Sequence, residues 1–84
     1  MPLSDLERSI LDFERTWWTE PGPKRAGIRS RFDVSPTRYY RIREQLVSSD
    51  DALAYDPLVV RRLRRDRRRR LESRHAAWRD HPAR

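Results

Sequence analysis

Cysteine is absent from this chain of 84 residues, so neither a disulfide bond nor a thiolate metal site can stabilise it. The two histidines, His75 and His81, have no third ligand beside them, and we expect no metal ion and no other cofactor. Glycine occurs only at positions 22 and 27, which excludes a glycine-rich loop for binding phosphates. A fold of this composition must depend on the packing of side chains.

Long hydrophobic runs are also missing. No stretch approaches the roughly 18 apolar residues of a membrane-spanning helix, and no basic start precedes an apolar segment as in a secretory signal. We therefore expect a cytoplasmic protein that does not enter a membrane. Hydrophobic residues make up 36% of the chain and charged residues 39%, which suffices for one small core but leaves little room for a catalytic cavity. We expect that the protein is not an enzyme.

Positive charge is what the chain has in excess. Its 20 basic residues outnumber 13 acidic ones, which gives a net charge of +7, and all but one of the basic residues are arginine. The planar guanidinium group matches phosphate oxygens and guanine edges in a bidentate way that an ammonium group cannot. The charge is segregated: residues 1–20 carry −3, residues 21–50 carry +4, residues 51–60 carry −2 and residues 61–84 carry +8. This pattern favours a polyanionic partner.

A first helix is predicted from Ser4, which has the capping-box spacing with Glu7, to the Pro21-Gly22-Pro23 break. Apolar residues recur along it at helical spacing and should face the core, while Asp12 and Glu14 belong to its solvent face. The predicted buried stripe consists of Leu6, Ile10, Phe13 and Trp17. We also expect Trp18, at the border of this stripe, to lie in the core, and packing on a partner subunit or stacking on a base are the alternatives.

Two further helices are predicted on either side of a turn of about four residues, which is the order of a helix-turn-helix over about residues 22–47. Pro23 begins the shorter one, which ends near Phe32, and Ser35 caps the longer one with Pro36 at its first position. Asp33 occupies the turn where glycine is often favoured. The predicted buried residues of this pair are Ala26, Ile28, Phe32, Tyr39, Ile42 and Leu46.

The outward face of the longer helix follows from a rotation of about 100° per residue. With Tyr39 at the centre of the buried face, the side that turns outward can enter the major groove of DNA. This outward side consists of Thr37, Tyr40, Arg41 and Glu44, flanked by Arg38 and Gln45. Basic residues of the preceding helix can then hold the phosphate backbone. The candidate DNA-binding residues of the two helices are Lys24, Arg25, Arg29, Arg31, Ser35, Thr37, Arg38, Tyr40, Arg41 and Gln45.

A basic helical arm should follow a polar break and a short helical stretch at residues 52–55. Asp56-Pro57 is a cap followed by proline, and it opens a helix in which Leu58, Val59, Val60 and Leu63 are apolar. Eight of residues 61–70 are arginine, which predicts contacts with phosphates. The candidates here are Arg61, Arg62, Arg64, Arg65, Arg68 and Arg69. For Trp78, a contact between two copies of the chain, docking onto the domain and exposure all stay open.

Several motifs together resemble a known family. Residues 32–41, Phe13-Glu14 and Trp17-Trp18 before them, and residues 52–58 after them are similar to a family of small actinobacterial proteins first catalogued as a domain of unknown function. The resemblance covers nearly the whole chain up to the arginine run. It implies a helix-turn-helix fold, binding to the chromosome and a nucleoid-associated or regulatory role.

The sequence thus predicts an all-α protein. Residues 1–56 form a three-helix domain that contains the helix-turn-helix, and residues 57–84 form a C-terminal arginine-rich helical arm. The leading hypothesis is a protein that binds double-stranded DNA, in the cytoplasm at the nucleoid. RNA or the ribosome, or an acidic protein bound by the arm, are the alternative partners, and a homodimer is a further option. The order of helices favours DNA, whereas the arginine run alone fits all three partners.

Overall fold

A computed structural model describes residues 2–79 and confirms that the chain is all-α. No residue of that range lies in a strand. Helix α1 spans Asp5–Thr16 and continues into a single 3-10 turn at Trp17–Thr19, α2 spans Lys24–Arg31, α3 spans Pro36–Val47, α4 spans Asp50–Tyr55 and α5 spans Pro57–Arg79. Five α-helices therefore form within the described part of the chain, and the connections between them are short.

Side-chain caps set the starts of the helices where the sequence predicts them. Ser4 and Glu7 form the reciprocal capping box of α1, and the Ser35 hydroxyl accepts a hydrogen bond of 3.1 Å from the Arg38 amide at the start of α3. The Ser49 hydroxyl does the same for α4, and the Asp56 carboxylate accepts from the Val59 amide at 3.2 Å. Each cap satisfies a backbone donor that the first turn of a helix leaves without a partner.

The core confirms most of the predicted apolar stripe. Ile10 and Phe13 of α1 are buried, and Leu6 and Trp17 at the two ends of the stripe are half-buried against the same core. Ile28, Phe32, Tyr39 and Leu46 are buried as predicted, with Ile42 half-buried. The prediction that Ala26 is buried is wrong, because Ala26 lies about 200° around α2 from Ile28 and faces solvent.

Three aromatic rings form the centre of this core. Phe13 meets Phe32 edge-on with ring centroids 5.6 Å apart, and Tyr39 lies 6.1 Å from Phe13 and 5.5 Å from Phe32. Helix α2 comes so close to this cluster that a Cβ atom on Gly27 would lie 2.9 Å from Phe13 Cζ. The glycine is therefore required by the packing of α2 on α1.

The core continues across residue 56 into the first turns of α5. Val59, Val60 and Leu63 are buried in the same cluster as the residues of α1 and α3. Leu58, grouped with them by composition, is 69% exposed because it lies on the other side of the helix. The turn before α3 needs no left-handed residue, since Gly22 alone has a positive φ within the described range and Asp33 does not.

A buried carboxylate joins four of the helices, and the prediction that Glu14 faces solvent is wrong. Glu14 of α1 is 1% exposed, and its Oε2 accepts a hydrogen bond from the Tyr39 hydroxyl and lies 2.6 Å from Lys24 Nζ. Its Oε1 is 3.2 Å from Arg43 Nε and 3.8 Å from Arg62 Nη2. Cations from α2, α3 and α5 thus compensate the loss of hydration that burial of the carboxylate costs.

The same cluster affects the protonation of its members. Burial raises the pKa of the Tyr39 hydroxyl, and the neighbouring Glu14 carboxylate raises it further. Burial lowers the pKa of the Lys24 ammonium, while its contact with Glu14 opposes that change. Tyr39 is therefore a hydrogen-bond donor at neutral pH, and it donates to Glu14.

Replacing Glu14 with glutamine should destabilise the fold by about 3–5 kcal/mol, because three partly buried cations lose the one carboxylate that pairs with them among the described residues. That loss approaches the entire stability expected of a small domain. Urea denaturation followed by circular dichroism measures it. Glu72→Gln, at an exposed position on α5, is the control and should change stability by less than about 0.5 kcal/mol. Equal stability of the two variants would show that the cluster contributes nothing.

Replacing Gly27 with alanine should lower stability by roughly 1 kcal/mol, since overpacking against Phe13 outweighs the gain in helix propensity. Ser30→Ala, at an exposed position on the same helix, introduces alanine without the clash and removes only the hydrogen bond from the Ser30 hydroxyl to the Gly27 carbonyl. Thermal denaturation of both variants tests this. A Gly27→Ala protein that melts at or above the temperature of Ser30→Ala contradicts the close approach.

Candidate nucleic-acid interface

Helices α2 and α3 are separated by a four-residue turn, as predicted. Phe32, at the end of α2, is buried, and Val34 in the turn packs against the core. The Ser35 hydroxyl is engaged in capping α3, so its role is to begin the helix at a fixed position. These contacts hold α3 with Tyr39, Leu46 and Val47 inward, and its opposite face is left to solvent.

The outward face of α3 has the composition that helical rotation predicts. Thr37, Arg38, Arg41 and Gln45 are exposed, and within residues 2–79 none of these side chains has a hydrogen bond or an ion pair. Tyr40, at the edge of this face, is 41% exposed. Glu44 also faces outward, but it forms an ion pair with Arg67 of α5 at 3.1 Å. Two arginines with open donors therefore lie on one face of a fixed helix.

The basic residues of α2 divide into two kinds. Arg25 and Arg29 lie one turn apart, are exposed and have no acidic partner among the described residues. Arg31 forms an ion pair with Glu20 and lies over the Phe13 ring at 5.5 Å. Lys24 is largely buried in its contact with Glu14. Of the four predicted phosphate-binding residues on α2, Arg25 and Arg29 thus have no acidic partner in the described part, whereas Lys24 and Arg31 each pair with a glutamate.

Three arginines of the α5 run turn inward and fasten α5 to the rest of the fold. Arg62 donates to the backbone oxygen of Glu14 at 2.5 Å, and Arg64 Nε donates to the backbone oxygen of Val47 at 2.7 Å. Arg67 bonds to Glu44 and to the Ser48 hydroxyl at 3.2 Å. Arg64 satisfies a carbonyl in the last turn of α3, where the helix dipole favours a cation. We call these three residues the inner arginines.

Four other arginines of the run lie together on the opposite side of α5. They lie within an arc of about 100° around the helix axis. None of them has an acidic partner in the described part of the chain. We call this set the outer arginines, and it consists of Arg61, Arg65, Arg68 and Arg69. The predicted phosphate-binding residues Arg62 and Arg64 belong to the inner set. The run therefore contains an inner set that bonds to the rest of the fold and an outer set that is exposed to solvent.

Sequence reasoning missed several residues near these faces. Arg70 and Arg74 line a shallow cleft between α3 and α5 together with Glu44 and Arg67. Arg70 lies within the run, and Arg74 follows it by one helical turn. The spacing of four residues therefore indicated that these two arginines lie on the same face of the helix. Arg43 was missed because it lies toward the buried side of α3, where a cation is expected only beside a buried acid.

The prediction that Trp18 lies in the core is wrong. Its side chain is 53% exposed, and the Arg62 guanidinium lies over its ring at 4.9 Å. The cause is the 3-10 turn at Trp17–Thr19, which breaks the α-helical rotation on which the prediction relied. The side chain of Trp78, and with it the question of a contact between two copies, lies outside the described residues.

The described residues contain neither a candidate membrane span nor a candidate metal site. None of their helices is long and apolar enough to cross a membrane. They also contain no group of three or more histidine, cysteine, aspartate or glutamate side chains arranged to hold a metal ion.

Comparison with known proteins places the chain at the level of family. No curated protein and no solved structure matches it. A family model described as “Protein of unknown function (DUF3263)” matches residues 2–75, which include α1 to α4 and most of α5. Because the match spans nearly the whole chain, the protein belongs to the DUF3263 family.

Proposed function

We propose that this protein binds double-stranded DNA as a helix-turn-helix protein, with α3 in the major groove. The observation that carries the proposal is the outward face of α3, on which Arg38 and Arg41 are exposed and have no acidic partner in the described part. The opposite face of the same helix is fixed by the core and by the contacts of Glu14. A rigid helix that presents open guanidinium groups suits the reading of base edges.

Each exposed side chain has a role in this arrangement. Arg38 and Arg41 bind guanine O6 and N7, and Thr37 and Gln45 contact base edges or phosphates. The start of α3, where Ser35 caps the helix, directs the positive end of the helix dipole toward a phosphate. Arg25 and Arg29 hold the phosphate backbone on one side of the groove, and the outer arginines hold phosphates from α5.

The balance of contacts favours an architectural or regulatory role at the nucleoid. Four side chains on α3 are placed to meet bases, whereas two arginines of α2 and four of α5 are placed to meet phosphates. Phosphate contacts add affinity without sequence information, so a modest sequence preference is expected. Because the inner arginines fix α5 to α3, the phosphate contacts of the arm are held in register with the groove contacts.

The test of this function is a competition measurement at one salt concentration. A labelled DNA duplex bound to the protein is challenged with unlabelled duplex, structured RNA and heparin of equal charge. Duplex DNA should compete best, since groove contacts add to the charge effect. Stronger competition by RNA favours the ribosome-associated alternative, and equal competition by heparin indicates an arm that binds any acidic partner.

Replacing Arg38 and Arg41 with glutamine should weaken duplex binding by about 1–3 kcal/mol for each arginine that makes a good contact. The melting temperature should stay the same, because neither side chain makes a hydrogen bond or an ion pair within the described fold. The control is the double variant of Arg8 and Arg15 on α1, which removes the same charge from another surface. Because these two arginines pair with Asp5 and Asp56, circular dichroism first establishes that this variant is folded. Fluorescence anisotropy with one duplex measures both proteins, and equal losses would contradict the placement of α3 in the groove.

Replacing the four outer arginines with glutamine should make the slope of log affinity against log salt shallower by about 0.9 per lost phosphate contact. Affinity should fall alike for different duplex sequences, because phosphates carry no sequence. Arg64→Gln is the contrasting variant, and it should lower the melting temperature since Arg64 bonds to Val47. An unchanged slope in the quadruple variant would show that the outer arginines do not contact DNA.

A further inference from the structure

Aromatic and basic side chains form a chain of contacts beside Glu14. The rings of Trp17 and Trp18 meet edge-on at 6.1 Å, and Lys24 Nζ lies 5.2 Å from the Trp17 ring and 5.3 Å from the Tyr40 ring. At one end of the chain Arg43 lies 5.6 Å from the Tyr40 ring, at the other end Arg62 lies 4.9 Å from the Trp18 ring, and both arginines contact Glu14. We call this surface the Trp18 patch, and its members are Trp17, Trp18, Lys24, Tyr40, Arg43 and Arg62.

The Trp18 patch has too little negative charge for its cations. Lys24, Arg43 and Arg62 share the single carboxylate of Glu14, and no second carboxylate of the described range pairs with them. Their side chains are 14–28% exposed, so water screens their mutual repulsion only in part. Burial lowers the pKa of Lys24, and the nearby Arg43 and Arg62 act in the same direction. A bound anion would supply the missing charge.

The same place presents aromatic surface to solvent. Trp18 is 53% exposed and Tyr40 is 41% exposed, although tryptophan is a large side chain that is on average well buried. Although Arg62 lies 4.9 Å from the centroid of the Trp18 ring, about half of the residue stays exposed and is accessible to another flat group. An exposed ring beside cations is the arrangement by which proteins stack a base and hold its phosphate.

We infer that the Trp18 patch is a binding site for an unpaired nucleobase and its adjacent phosphate. The base stacks on Trp18, and the phosphate lies near Lys24 and Arg62 where the charge of Glu14 falls short. A paired base in intact duplex cannot use the site, because its faces are covered by its neighbours in the stack. The site lies at the edge of the outward face of α3. It gives the protein a second ligand, single-stranded DNA, and binding of this ligand does not require α3 to enter a major groove.

Two oligonucleotides separate stacking from charge. The first is a twelve-nucleotide thymidine strand, and the second has the same length and phosphates but abasic sugars throughout. The unaltered chain should bind the thymidine strand between about fivefold and a hundredfold more tightly, since stacking on an aromatic side chain favours the strand with bases. In Trp18→Ala this preference should disappear, while Trp18→Phe should retain part of it.

Controls keep the result independent of folding and of duplex binding. Leu58→Ala removes another exposed apolar side chain, on α5, and should leave the preference unchanged. Trp18→Ala should bind a DNA duplex as tightly as the unaltered chain does. If the unaltered chain prefers the thymidine strand but does not bind the duplex, the proposed groove binding is overturned and the Trp18 patch is not. Equal binding of the two strands by the unaltered chain overturns the site. Displacement of the thymidine strand by polyglutamate, added at the same concentration of negative charges, also overturns the site. The patch would then bind acidic protein.

Discussion

The carboxylate of Glu14 is the interaction on which the arrangement of the helices depends. Apolar packing brings α1, α3 and α5 together, but it is not directional and does not by itself fix their rotation. One buried acid on α1 contacts Lys24 of α2, Tyr39 and Arg43 of α3, and Arg62 of α5. Because a buried charge must be paired, these helices have few orientations in which the core can close.

That constraint divides the arginines of the chain. The arginines that contact Glu14, Glu44 or the last turn of α3 stabilise the fold. Among them, the inner arginines bond α5 to α1 and α3. Apart from Arg31, which pairs with Glu20, the remaining arginines of α2, α3 and α5 have no acidic partner among the described residues, and their repulsion persists until an anion is bound. Structural cations thus fix the positions of the helices that carry the exposed arginines, which we propose to contact DNA.

The local features of the fold could be predicted from the sequence, and the long-range ones could not. The caps at Ser4, Ser35 and Asp56 and the outward arc of α3 depend on neighbours within one or two turns. The burial of Glu14 depends on partners 10 to 48 residues away, and rotation along α1 gives no sign of them. Likewise, Trp18 is exposed because a 3-10 turn interrupts that rotation, and the separation of inner from outer arginines requires the position of α3.

The binding of duplex DNA by the outward face of α3 is tested most directly by nuclear magnetic resonance. The protein, labelled with nitrogen-15, is titrated with a short DNA duplex, and the backbone amides and arginine Nε signals are followed. The signals of residues 36–45 should move most, with those of Arg25, Arg29 and the outer arginines, while the Nε signals of Arg43 and Arg64 stay in place because both groups are bonded within the fold. Shifts confined to α1 and α4, or no shifts on α3, would contradict the proposed mode of binding.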